Sequence, residues 1–185
     1  QNIRALNSGW TAKEPIEITG TTILDALTAK AGADNVTYVE TAADVPADLS
    51  GTTAIVVVGE KSGTHDPEWT AASLEFPQEQ TELVQALKAA GANVVSVVIM
   101  NRAYVLTPIR DASDSVLLVY RPGITCGAEA VADALFGETA ITGKLPFQIP
   151  ADMEQVLNQR EDMPKDIENP LYEYGFGIET ESFGA

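Results

Sequence analysis

Glu60, His65, Asp66, Glu68 and Trp69 crowd into one short polar stretch of a chain of 185 residues. A carboxyl group acts as a general acid when a partly apolar surround raises its pKa, and an adjacent indole can supply that surround. Glu68 next to Trp69 has that arrangement, and Asp66 lies just before it. Other readings stay open at this level. Glu60 can equally be a structural acceptor for loop amides. Asp66 and Glu68 can be solvated loop charges, and His65 a loop hydrogen-bonder. His65 is also the one histidine and Cys126 the one cysteine. A zinc site needs such residues clustered, so no metal is expected. A Cys126–His65 nucleophile pair competes with the simpler reading of Cys126 as a small, buried or partly buried thiol.

The stretch follows Ala54-Ile55-Val56-Val57-Val58-Gly59-Glu60. This apolar, β-branched run predicts a strand buried on both faces and ended by Gly59-Glu60. Ligands in an open α/β sheet sit beyond the carboxyl ends of the strands, which makes the following loop, up to Pro77, the first candidate site. Thr21 or Thr22 predicts the cap of a helix with apolar positions Ile23, Leu24, Leu27 and Ala31, ended by Gly32. Residues 35–40 predict a short strand, and residues 41–53 a connection with one helical turn. Pro77 opens the strongest helix, with Leu83, Val84, Leu87 and Ala90 on one side and Gly91 as the stop. Further strands are predicted over residues 93–100 and 115–120, and helices over 108–112 and 128–136, with a short extended piece at 143–147. Alternating strands and helices predict a three-layer αβα sandwich around a mostly parallel sheet of about five to six strands. Residues 1–150 form this domain in that reading, and residues 151–185, with Pro164 and Pro170, a tail packed on it.

A hydrophobic content of 45% is that of a globular protein. The net charge of −16 argues against nucleic acid and against an anionic membrane surface. No run reaches the roughly 18 apolar residues of a transmembrane helix. Residues 1–10 lack the basic and apolar regions of a signal peptide. Lacking an initiator Met, the chain reads as a processed chain or a fragment. Neither G-x-G-x-x-G nor G-x-x-x-x-G-K-[ST] occurs, which weighs against a nucleotide site.

Several motifs carry a resemblance. Val56-Val57-Val58-Gly59-Glu60, then Leu74-Glu75-Phe76-Pro77 and Gln80, resemble the C-terminal α/β sandwich domain of family 3 glycoside hydrolases. Arg121-Pro122-Gly123 with the run from Gly127 to Gly137 resembles that family's P-G-x-x-x-G-x-x-x-A-D-x-L-F-G. Thr142-Gly143-Lys144-Leu145-Pro146-Phe147 resembles its S-G-[RK]-L-P, and Tyr174-Gly175-Phe176-Gly177-Ile178 its closing F-G-[YF]-G-L. Gly9-Trp10-Thr11 and Gly20-Thr21-Thr22-Ile23-Leu24 resemble the entry segment of the exo-β-glucanase and β-glucosidase branch.

The resemblance implies a β-glucosidase-like, retaining hydrolase acting on terminal β-D-glucosyl or β-xylosyl residues, without a cofactor. It implies that a TIM barrel, as a domain or a separate chain, carries the nucleophile, and that this domain lends the acid/base from the loop after G-E. The isolated chain is then expected to be inactive. Counting from Gly59-Glu60 places one branch's acid/base on His65, counting back from Pro77 places it on Asp66, and another branch's pattern places it near Glu68. Glu68 ranks first, Asp66 second, with His65 as an orienting group and Trp69 and Arg102 as substrate-binding residues. Arg102 stands where the family often has G-[RKT]-P. It can serve sugar hydroxyls or a barrel carboxylate, or hold the sheet end as an ion pair. The contrasting expectation is a non-catalytic carbohydrate-binding or interaction module. A homo-oligomer is left open, and an extracellular or periplasmic place is preferred to a cytoplasmic one.

Overall fold

The computed structural model describes residues 19–60, 74–160, 162–163 and 165–182. The valine-rich runs form parallel strands β1 (Thr53–Gly59), β2 (Asn93–Ile99) and β3 (Ser115–Val119), ordered β1-β2-β3. Their carboxyl ends are level, because Gly59 pairs with Ile99 and Ile99 with Val119. The helices are α1 (Ile23–Ala31), α2 (Gln78–Ala89), α3 (Thr107–Asp111), α4 (Gly127–Leu135) and α5 (Met153–Asn158).

Period-two alternation sorts the strand residues between two cores. Val56, Val58, Val94, Val98 and Met100 pack with Val84 and Leu87 of α2, Ile109 of α3, and Leu145 and Ile149. Val97 and Ile99 face the other way, onto Ile23, Ala26 and Leu27 of α1 and Ala128, Val131 and Ala132 of α4. The α/β sandwich expected from the sequence is therefore present, with helices on both faces of a parallel sheet. Strand order running one way, with right-handed crossovers, puts the two linking helices α2 and α3 on the same face.

Local signals explain the element ends. Thr22 caps α1 in a capping box: Asp25 N donates to Thr22 Oγ1 at 3.1 Å, and Thr22 N to Asp25 Oδ2 at 3.0 Å. A second box at Thr41 and Asp44 forms the single turn Ala42–Asp44.

Three readings need correction. Residues 35–40 form no strand. The chain leaves α1 through a 3-10 turn at Ala33–Asn35, Tyr38 stays half exposed, and no ladder among the described residues satisfies this backbone as a strand requires. β1 is buried on one face only: Val56 and Val58 are inside, whereas Val57 is 41% exposed. β2, the middle strand of the three, carries the fully buried run. Residues 153–158 form a helix that periodicity did not reveal, capped by Asp152, whose Oδ1 accepts from Gln155 N at 2.9 Å.

The irregular C-terminal stretch is joined to the residues before it. Ile149, fully buried, pairs antiparallel with Tyr172, and Leu145 exchanges backbone hydrogen bonds with Gly175 and Phe176. Gln148 acts as a peptide substitute: its Nε2 donates to Ile167 O at 3.1 Å and its Oε1 accepts from Ile167 N at 3.2 Å.

Candidate active site at the carboxyl ends of the strands

Gly59 and Glu60 are the last described residues before the candidate loop. Gly59 N donates to Gln80 Oε1 at 2.7 Å, and Gln80 Nε2 donates to Gly59 O at 3.0 Å. The side-chain amide of α2 thus supplies both bonds that a neighbouring strand would supply. On the opposite side a Cβ at Gly59 would lie 2.9 Å from Ile99 O, so the glycine permits the close approach of β1 to β2. Glu60 N continues the ladder by donating to Ile99 O at 3.0 Å.

The Glu60 carboxylate is almost wholly buried. Its Oε1 accepts from Arg121 Nη2 at 2.6 Å, from Arg121 Nε at 3.2 Å and from Asn101 N at 3.0 Å. Burying a carboxylate demands such charge-assisted partners. One side chain from the end of β1 therefore ties down the residues following β2 and β3. Arg121 is itself buried and adopts φ +37, in the left-handed region where a side chain costs about 1 kcal/mol or more. Tyr104 lies against the same cluster. Burial and, after it, the charge of Glu60 push its hydroxyl up to about 12, so it is a neutral donor at physiological pH.

Arg102 follows β2, with Nη1 3.9 Å from Glu60 Oε2 and 27% of its side chain exposed. Geometry thus places it in the ion-pair cluster at the sheet end, one of the roles open to it from the sequence. His65, Asp66, Glu68 and Trp69 lie outside the described residues. Cys126, just before α4, is exposed rather than the buried or partly buried thiol expected. Arg121, Tyr104 and Gln80 were not singled out for the site by sequence reasoning. The available signal was positional: Glu60 and Arg121 each stand just past the end of a strand, but opposite charges there matter only once those strands are known to end level.

Leu74, the first described residue after the loop, borders an open cleft of about 820 Å³ with Phe147, Arg160, Met163, Lys165 and Tyr174. Phe147 stacks edge-on against Tyr120, which follows β3. Lys165 Nζ lies 4.1 Å above the Tyr174 ring. No described helix is long and apolar enough to cross a membrane.

The family model described as the glycosyl hydrolase family 3 C-terminal domain matches residues 1–180. The chain belongs to this family. As a family 3 domain it is 32% identical over 121 residues to the beta-glucosidase C of Emericella nidulans, which covers 65% of the chain and 19% of that protein. It is 30% identical over 147 residues to a periplasmic beta-glucosidase of Salmonella typhimurium, covering 70% of the chain and 19% of that protein. A solved β-glucosidase from Erythrobacter marinus shares the fold, with a TM-score of 0.68 and 23% identity over 93% of the chain and 29% of the other. The family 3 domain therefore spans about a fifth of the length of the curated relatives it matches. Its motifs gain physical content here: Arg121-Pro122-Gly123 delivers the buried guanidinium, and Gln80 clamps the strand before the loop.

Proposed function

We propose that the chain is the second domain of a retaining β-glycosidase acting on terminal β-D-glucosyl or β-xylosyl residues. In this reading residues 1–150 are the sandwich domain, 151–185 a tail packed on it, and a TIM-barrel domain or chain carries the nucleophilic carboxylate. The loop over residues 61–73 supplies the general acid/base, Glu68 first and Asp66 second, oriented by His65. Trp69 offers an apolar ring face to the sugar, and Arg102, with a quarter of its side chain exposed, a donor for a hydroxyl.

The observation that supports this reading is the anchoring of Glu60, the last described residue before the loop. The loop leaves the carboxyl end of β1 directly after a residue locked to the segments that follow β2 and β3. Chemistry then follows in two steps. The barrel carboxylate attacks the anomeric carbon while the loop acid protonates the departing glycosidic oxygen. The resulting carboxylate next removes a proton from water, which displaces the enzyme from the glycosyl ester. The two carboxyls must lie roughly 5–5.5 Å apart, so the site forms only between the two domains. An extracellular or periplasmic place suits such a substrate, and the relative from Salmonella typhimurium is named periplasmic.

The test is hydrolysis of p-nitrophenyl β-glucoside and β-xyloside by the chain alone and joined to its barrel. Activity only with the barrel is expected. Activity of the chain alone overturns the shared site. Silence in both favours a non-catalytic carbohydrate-binding module. Within the active enzyme, Glu68→Gln should slow aryl glycosides with poor leaving groups far more than activated ones.

A further inference from the structure

The Glu60 cluster raises a question of economy. Replacing a buried ion pair by apolar side chains of equal volume often leaves stability unchanged or improves it. Here the pair is kept at the carboxyl ends of the strands and also holds Arg121 in a left-handed backbone conformation. Strain that persists because its surroundings enforce it is a mark of functional sites. Moreover, every anchor converges on two consecutive residues. Gly59 is gripped through its N–H and C=O by Gln80, and Glu60 through its N–H by Ile99 and through its carboxylate by Asn101 and Arg121. The chain thus enters the loop from two residues held by both side-chain and backbone hydrogen bonds.

We propose that Glu60 and Gln80 are positioning residues that fix the origin of the acid/base loop. This rests on the reading that the loop acid is Glu68 or Asp66. A general acid must come within hydrogen-bond reach of the glycosidic oxygen, roughly 2.6–3.2 Å. A misplacement of about 1 Å costs on the order of 100-fold in rate. Neither side chain touches the sugar: Glu60 is buried and Gln80 is spent on Gly59. Their effect passes through the backbone to the carboxyl beyond.

The experiment uses the enzyme with its barrel and the variants Glu60→Gln, Gln80→Met, Glu68→Gln and Asp66→Asn. Active sites are counted by covalent trapping with a 2-deoxy-2-fluoro glucoside, which reports the barrel nucleophile. Rates per trapped site are then compared for phenyl and 2,4-dinitrophenyl β-glucosides, the second needing little protonation. For Glu60→Gln the phenyl substrate should lose about 10- to 100-fold in kcat/KM. The dinitrophenyl substrate should lose no more than about threefold, because the acid contributes little to it. Gln80→Met should show the same asymmetry and serves if Glu60→Gln does not fold. Equal losses on both substrates, or a loss explained by fewer trapped sites, overturns the positioning role. If Glu68→Gln or Asp66→Asn shows the asymmetry and the anchor variants do not, the loop reading stands and this proposal fails. If neither loop variant shows it, the loop reading fails and takes the proposal with it.

Discussion

Strand β2 is stapled at both ends by a carboxylate from elsewhere in the sheet, and the two staples differ in kind. At its amino end Asp114 accepts from Val94 N at 2.8 Å and from Lys88 Nζ at 2.6 Å, with both side chains about two-fifths exposed. At its carboxyl end Glu60 accepts from Asn101 N and Arg121 with almost no exposure. The topology of the two staples is alike, but water screens the first and is excluded from the second. A solvated staple uses a compact ammonium. The dry one uses a guanidinium fork, whose planar donors meet one carboxylate oxygen twice. A dry carboxylate is rigid as well as costly to disturb, and it stands at the end from which the candidate loop departs.

Variants can break this contrast or sharpen it. Removing one partner of the dry staple should have the largest effect. Glu60→Ala leaves Arg121 buried without its anion and should lower unfolding free energy by about 3–5 kcal/mol in urea titration. A loss below about 1 kcal/mol, the range of surface pairs, would erase the distinction. Gly59→Ala comes next. Its Cβ would press on the Ile99 carbonyl, and a cost of about 1–3 kcal/mol is expected from the forced separation of β1 and β2.

Tyr104 tests the dryness by pH. Its folded value stands near 12 against an ordinary 10.0, so the folded state holds the proton more tightly than the unfolded state. Stability from this source is fully present below pH 10 and falls as the pH rises towards 12. Tyr104→Phe should flatten that alkaline decline in thermal melts, and an unchanged slope would place its cause elsewhere. Asp114 should show the smallest effect, with the opposite sign. The Lys88 ammonium, then the Val94 amide, hold its carboxyl below the ordinary 3.8. Its contribution is present above that value and is lost as the pH falls through the lowered one. Asp114→Asn should remove this acid-side loss, and 1 M salt should shrink the difference between the variants. Persistence of the full difference in high salt would make the exposed staple more like the buried one than its geometry allows.

Much of the scaffold was legible because it depends on local chemistry. Runs rich in valine, isoleucine and leucine are driven into a core, so β1, β2 and β3 were found near their observed bounds. Pro77 and Gly91 framed α2, and Thr21-Thr22 announced α1, whose cap is Thr22. The weak points were short elements held by distant partners. Residues 35–40 have alternating apolar side chains but no ladder among the described residues to join. The α5 helix is short and rests on Asp152 and on Gln155, whose side chain reaches Ala151, Glu168 and Asn169. Gln148 looks like any polar residue until Ile167, far along the chain, is brought beside it.

The candidate site divides in the same way. The crowding of His65, Asp66, Glu68 and Trp69 after a buried strand is a property of sequence, and so is the ordered set of motifs that marks the family. Which of those groups could act together is not a property of their order along the chain. That Glu60 and Arg121 form one buried unit was decided by tertiary structure alone. The residues stand 61 positions apart, and only the level, parallel ends of three strands bring their charges together in a place without water. Sequence by itself determined β1, β2 and β3, most of the caps and the family, because burial of apolar side chains and local hydrogen bonds act over a few residues. Packing decided the ion pair, the Gln80 clamp and the pairing of Ile149 with Tyr172, because each needs a partner that only the folded chain supplies.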